Sequence, residues 1–294
     1  MNAIECRNLT HYYGKKLVYE NLNINVREGS ILGLLGKNGA GKTTTINILN
    51  GFLQPRSGEC LIYGENTQHL SPENKARIGF LIEGHIQYAF MNIHQIEKFY
   101  SGFYPKWDNE PYWELMSKLK VTPKQKLSTM SCGQRSQVAL GLILAQDPDL
   151  LILDDFSMGL DPGYRRLFID YLREYAKSKN KTIFTTSHII QDMERLIDDV
   201  LIMDYNRVLA QRNVNDFMRE FKQFDFEVEN PNINLSNEDF VVNFEKLGNK
   251  VELYTYDSEE YVKNFLSGNG IAHSNFRKVE MGLEDAFIGL TGKY

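Results

Sequence analysis

The sequence has no apolar run near the roughly 20 residues that a helix needs to span a bilayer. Its longest candidates, Ile31–Leu35 and Val138–Ala145, have the length of core segments. Cysteine is scarce: Cys6, Cys60 and Cys132 are odd in number and far apart in sequence, which suggests neither a disulfide framework nor a zinc site. The start, Met1-Asn2-Ala3-Ile4-Glu5-Cys6-Arg7, lacks the charged-then-apolar pattern of a signal peptide. Basic residues are not in excess; the net charge of −5 gives no bulk reason to expect nucleic acid as a partner. Tryptophan occurs only twice, and no internal repeat or low-complexity tract is visible. These absences predict a cytoplasmic, reduced globular protein. At 294 residues the chain is long enough for one large domain and one small one.

The most informative stretch is Gly36-Lys37-Asn38-Gly39-Ala40-Gly41-Lys42-Thr43-Thr44. An apolar strand precedes it and a helix pattern follows, with the GxxxxGK[ST] spacing of a phosphate-binding loop. Glycines allow a tight turn whose N–H groups face an anion, and the helix N-terminus adds partial positive charge. Lys42 is expected to reach the β- and γ-phosphates of a nucleotide, and the Thr43 hydroxyl to ligate Mg²⁺.

Around this loop the chain alternates strands and helices. Ile4, Cys6 and Leu9 alternate with polar neighbours, as does Leu22–Val26, so the first thirty residues read as β structure with a turn near Gly14. Further strands are expected at Glu59–Tyr63, Arg77–Ile82, Leu150–Leu153, Thr182–Thr186, Val200–Met203 and Arg207–Gln211. Helices are expected at Ser71–Ala76, through Tyr88–Leu119, at Ser131–Gln146 (stopped by Asp147-Pro148), Tyr164–Ser178 and Ile190–Leu196. The pattern predicts an α/β fold with a mostly parallel sheet and helices on both faces. In parallel sheets ligands bind at the carboxyl ends of strands. The glycine loop, Asp154 and His188 each follow an apolar strand, so one sheet edge can collect all three.

A nucleoside triphosphate needs a phosphate cradle, a magnesium ligand, a group that orients water and a sensor of the γ-phosphate. The glycine loop, Leu150–Asp155, Ser131–Gln134, Gly159-Leu160-Asp161-Pro162 and Thr186-Ser187-His188 supply candidates in order. With these in hand, residues 1–212 resemble the ATP-binding subunit of ABC transporters. The resemblance implies the P-loop NTPase fold of ABC type, an α/β fold whose mixed, mostly parallel sheet has an antiparallel β part, with a helical subdomain at about 88–146. The resemblance implies ATP and Mg²⁺ as cofactors, with Gly36, Asn38, Gly39, Ala40, Gly41, Lys42, Thr43 and Thr44 around the phosphates. It makes Tyr13 the aromatic that stacks on adenine, with Tyr12 the competing candidate. Asp154 is then the magnesium carboxylate, Asp155 the general base, and His188 the γ-phosphate contact. Ser131-Cys132-Gly133-Gln134 matches the LSGGQ signature, whose family role is to close on the nucleotide of a second subunit; Ser131, Gly133 and Gln134 would act across that interface. The implied partners are a second ATP-binding subunit, as a homodimer first and a heterodimer as alternative, and an integral-membrane permease, with no nucleic acid. Such a subunit sits peripherally on the inner face of the cell membrane.

This sequence also departs from the family pattern. Asp155 stands where glutamate is usual, about 1.5 Å shorter in reach, which predicts slow hydrolysis. Cys132 replaces a glycine of the signature, and Phe156 the usual proline. Glu83 stands where the family has glutamine; it keeps an oxygen ligand for Mg²⁺ or water but adds charge. The aromatic segment 88–113 falls where family members touch the membrane partner. Within it Phe103-Tyr104-Pro105-Lys106-Trp107-Asp108 is similar to the FYPxWD stretch of the export-type group that includes YtrB and the bacitracin exporters. Beyond about residue 212, strands are expected at Asp225–Val228, Val241–Phe244 and Lys250–Thr255, and helices at Glu259–Leu266 and Gly282–Leu290, giving a small α+β C-terminal domain over 213–294. The ending Gly282–Phe287 resembles the SLEDIFL tail of that group. The rivals to a transporter subunit are a non-membrane ABC-type ATPase and a regulatory nucleotide switch. The paired domains of translation members and the long coiled-coil insertion of repair members are both missing.

Overall fold

Alternating apolar residues build β1 (Asn2–Tyr13), which turns through Gly14 into β2 (Lys16–Arg27). The fully apolar β3 (Ile31–Gly36) then runs into the glycine loop and α1 (Lys42–Leu49). Next come β4 (Ser57–Ile62), β5 (Glu65–Asn66), α2 (Pro72–Lys75) and β6 (Ile78–Leu81). The computed structural model describes residues 1–81, 88–157, 159–230, 232–236 and 238–292, so Glu83 lies outside the described residues. The helical segment comprises α3 (Ile93–Ser101), α4 (Glu110–Lys118) and α5 (Cys132–Ala145). After it the chain alternates through β7 (Leu150–Asp154), α6 (Pro162–Ser178), β8 (Thr182–Thr186), α7 (Ile190–Leu196), β9 (Asp199–Asp204) and β10 (Arg207–Asn213). The last part holds α8 (Val214–Glu220), β11 (Lys222–Val228), β12 (Asn243–Leu247), β13 (Lys250–Thr255), α9 (Glu259–Gly268), β14 (His273–Val279) and α10 (Leu283–Thr291). The described chain divides into two units, Met1–Ala210 and Gln211–Tyr294.

In the first unit a six-stranded sheet has the order β10-β9-β3-β8-β7-β6. The β9-β3-β8-β7-β6 run is parallel throughout. These strands are buried on both faces, which is why Leu150–Leu153 and Ile31–Leu35 read as unbroken apolar runs. A second, antiparallel sheet has the order β2-β1-β4-β5. One core joins the two, with Ile4, Leu9 and Ile24 packed in the same cluster as Leu34, Ile46 and Phe184. Cys6 and Cys60, distant in sequence, are register partners across β1 and β4 with sulfurs 3.2 Å apart, both as free thiols.

The aromatic stretch read as helical from Tyr88 to Leu119 is two short helices separated by turns. Asn92 and Gln95 form a reciprocal capping box that starts α3. Its aromatics divide in two. Tyr112 is fully buried, packs where a Cβ on Gly141 of α5 would come within 2.9 Å, and donates to the Ile93 carbonyl at 2.6 Å. Tyr88, Phe90, Phe99 and Phe103 stay exposed and contact one another edge to face.

The second unit is a four-stranded antiparallel sheet of order β12-β13-β11-β14. Phe224, Phe226 and Val228 point to one face, where they meet Leu253 and the apolar side of α9 at Val262 and Leu266. Here the sequence expectations need correcting. The strand expected at Val241–Phe244 begins at Asn243, after Val241 has closed a turn onto Glu238. Helix α8 and strand β14 were not anticipated. β14 is a sheet-edge strand with half-exposed and exposed residues throughout, so no apolar alternation announces it.

Candidate functional site

The β3–α1 turn is shaped by close approach. A Cβ on Gly36 would sit 2.8 Å from the Met203 carbonyl oxygen, and one on Gly41 would sit 2.8 Å from the Tyr19 ring. Gly39 and Gly41 also have positive φ, so side chains there would be strained. Ala40 is buried inside the loop. The N-terminus of α1 has neither a side-chain cap nor an acidic residue in its first turn, which suits it to an anion. The Lys42 ammonium folds back onto the carbonyls of Gly36 at 2.6 Å and Lys37 at 3.2 Å. Burial pushes the Lys42 pKa down, while Asp154 and Asp155 oppose that shift.

A cleft of about 240 Å³ opens over this turn, lined by Tyr13, Lys16, Val18, Asn38, Gly39, Gly41, Lys42, Thr43, Thr44 and His188. Tyr13, at the end of β1, is 52% exposed and its hydroxyl lies 3.4 Å from the Thr44 hydroxyl. Tyr12 does not line the cleft. Lys16 and Val18 were missed from sequence; they belong to the strand paired with the Tyr13 end of β1, a neighbourhood that the hairpin turn at Gly14 already implied.

The carboxylates come from the end of β7. Asp154 is buried and accepts a short hydrogen bond from the Thr186 hydroxyl of β8. Asp155 has φ +51°, a left-handed conformation that aspartate tolerates better than most residues. One oxygen accepts the backbone N–H of His188 at 3.3 Å, and the other lies 3.1 Å from His188 Nε2. Burial raises the Asp155 pKa; His188 pulls it back and Asp154 adds to the rise. Thus β3, β8 and β7, adjacent in the sheet, carry the glycine loop, His188 and the carboxylate pair to one edge. Thr43 and Asp154 offer a hydroxyl and a carboxylate oxygen, hard donors of the kind that suit Mg²⁺, which keeps several waters and takes phosphate oxygens.

Ser131, Gly133 and Gln134 are not among the residues lining the cleft. Ser131 and Gln134 cap α5 reciprocally, at 3.2 Å and 3.0 Å. Gly133 abuts the loop before α6, where a Cβ would lie 2.4 Å from the Gly159 carbonyl oxygen. Cys132 is exposed beside it.

Comparison with known proteins agrees with this architecture. Residues 19–157 match the family described as ABC transporter. Over 98% of its length the chain is 31% identical to the bacitracin transport ATP-binding protein BcrA of Bacillus licheniformis, covering 97% of that relative. The chain belongs to the ABC transporter ATP-binding family. It is therefore an ATP-binding subunit with the ATPase cassette of that family, and its relatives include bacitracin transport ATP-binding proteins. In fold it resembles a solved ATP-binding subunit of an ABC transporter, with TM-score 0.64 and 24% identity over 74% of this chain and 92% of that one. It also resembles a dimeric ATP-binding cassette in a post-hydrolysis state with ADP and Pi, with TM-score 0.61 and 20% identity over 72% and 98%. Among the described residues no helix is long and apolar enough to cross a membrane.

Proposed function

We propose that this cassette energises an exporter by closing with a second ATP-binding subunit, a copy of itself in the simplest case, around two ATP molecules. The observation that carries the reading is the division of the ATP-binding parts. The glycine loop, Tyr13 and His188 share one cleft, and Asp155 contacts His188, while the Ser131–Gln134 turn is not part of the lining. A signature turn at the start of α5, with no acidic residue in its first turn, suits the phosphates of a partner's nucleotide.

On this reading Tyr13 stacks on the base, the N–H groups of 38–44 and the Lys42 ammonium hold the phosphates, and Thr43 and Asp154 hold Mg²⁺. The metal, when bound, neutralises phosphate charge and orients the terminal phosphoryl group. Asp155 accepts a proton from the attacking water, and His188 holds that carboxylate in line while facing the γ-phosphate. With the short carboxylate anchored on His188, turnover is slow. Glu83 keeps its proposed role as a water or metal contact. The exposed aromatic row of Tyr88, Phe90, Phe99 and Phe103 is apolar surface of the kind that protein partners cover. We assign it to the membrane permease, which selects the cargo and holds this subunit on the inner membrane face.

A tagged pull-down from detergent-solubilised membranes of the native cell tests the reading. Recovery of one polytopic protein in roughly equal amount is expected. Recovery of ribosomal, DNA-bound or other non-membrane partners alone would overturn it in favour of a non-membrane ATPase.

A further inference from the structure

Behind Tyr13 stands a residue that the mechanism above does not use. His11 is only 7% exposed, and its ring meets the Tyr13 ring edge to face, with centroids 5.0 Å apart and planes at 77°. Irregular pairing of β1 with β2 on either side of His11 turns this part of the strand, so that Leu9, Thr10 and His11 are all buried while Tyr12 and Tyr13 emerge. A bulge of this kind re-aims side chains beside functional sites. Nδ1 of His11 is buried with no hydrogen-bond partner among the described residues, so the position accepts a cost that a purely apolar side chain would avoid. Burial also pushes the imidazole pKa down, which favours the neutral ring.

We infer that His11 is a positioning residue for nucleotide recognition: its edge-to-face contact fixes the plane of Tyr13 and so prepares that ring to stack on the base. The inference rests on the proposed stacking role of Tyr13 and adds a residue specific to the base, since the phosphate cradle is built from a different segment. Tyr13 is half exposed, and among the described residues its hydroxyl has one hydrogen-bond contact, the long one to Thr44. The His11 ring supports it from the side, edge to face.

The test measures binding of ATP and of inorganic tripolyphosphate to the full chain, by calorimetry, in the wild type, His11→Leu, His11→Phe and Tyr13→Leu. His11→Leu should weaken ATP by about two- to tenfold, the range an aromatic pair supplies, and leave tripolyphosphate unchanged. His11→Phe, which restores a ring edge, should recover ATP binding. In turnover the Leu variant should raise KM and leave kcat alone. Wild-type ATP affinity in His11→Leu, beside a loss in Tyr13→Leu, would overturn the inference and leave the stacking reading intact. No loss in Tyr13→Leu would remove the stacking reading and the inference with it. Equal weakening of tripolyphosphate in His11→Leu would show a general structural role and also overturn it.

Discussion

Replacing Asp155 by glutamate should speed hydrolysis, and the structure sets the size of the gain. Asp155 directly follows β7, with its carboxylate held by the His188 N–H at 3.3 Å. A glutamate carries its carboxylate about 1.5 Å further, and misplacement of about 1 Å costs on the order of 100-fold in rate. The gain is not realised in full, because residue 155 has φ +51°. Aspartate tolerates that region, whereas glutamate is strained there by about 1 kcal/mol. If the strain is relieved by local rearrangement, the competent population falls about fivefold. The net expectation is roughly a 20-fold rise in kcat for Asp155→Glu, with a melting temperature lower by about 2–4 °C. Phosphate release at saturating ATP and Mg²⁺ measures the rate, and Lys42→Ala supplies the inactive control. Equal rates in Asp155→Glu and wild type, with ATP affinity and folding intact, would refute the argument that the short carboxylate limits turnover.

Three other perturbations follow from particular contacts. Gly133→Ala should destabilise the chain by about 1–3 kcal/mol, because its Cβ would fall 2.4 Å from the Gly159 carbonyl oxygen; an unchanged melting curve would contradict that packing. Mild alkylation with N-ethylmaleimide should label exposed Cys132 first and leave Cys6 and Cys60 intact, since the contact with Cys60 and burial push the Cys6 thiol well up. Peptide mapping that finds Cys6 or Cys60 modified before Cys132 would count against the buried pair. Because burial depresses the His11 pKa, the folded state binds its proton less readily than the unfolded chain does. Wild-type stability should therefore fall relative to His11→Phe as pH drops through about 6.5, and parallel melting curves from pH 8 to pH 5 would argue against it.

The site was legible in sequence wherever a chemical group follows an apolar strand directly. The glycine loop, Asp154 and His188 each do so, and a parallel sheet places such ends at one edge whatever the strand order. What stayed hidden depends on pairing and burial. Nothing local in Cys6 or Cys60 says that β1 and β4 lie in register, and nothing in the run Thr10-His11-Tyr12-Tyr13 says that a bulge buries His11 and exposes Tyr13. β14 was missed because its faces are half exposed, so periodicity carried no signal. α8 was missed because seven residues are too few for a helical stripe to stand out.

The contacts inside the cleft also bear on where the energy for subunit closure would arise. Three groups that the proposed mechanism aims at nucleotide are engaged with their own chain: Lys42 with two loop carbonyls, the Tyr13 hydroxyl with Thr44, and His188 with Asp155. Lys42 must exchange charge-assisted bonds to carbonyls for bonds to phosphate, and His188 must share its contact between Asp155 and the γ-phosphate. Such exchanges yield the difference between two polar interactions rather than the full strength of either. ATP binding to a single chain is therefore expected to be modest. A further gain is proposed to come on closure from the helix N-terminus of a partner's α5, whose Ser131–Gln134 cap is itself engaged in the single chain. ATP affinity measured against protein concentration separates the cases: an affinity that rises with concentration fits a shared site, and a constant one places the whole binding energy within one chain.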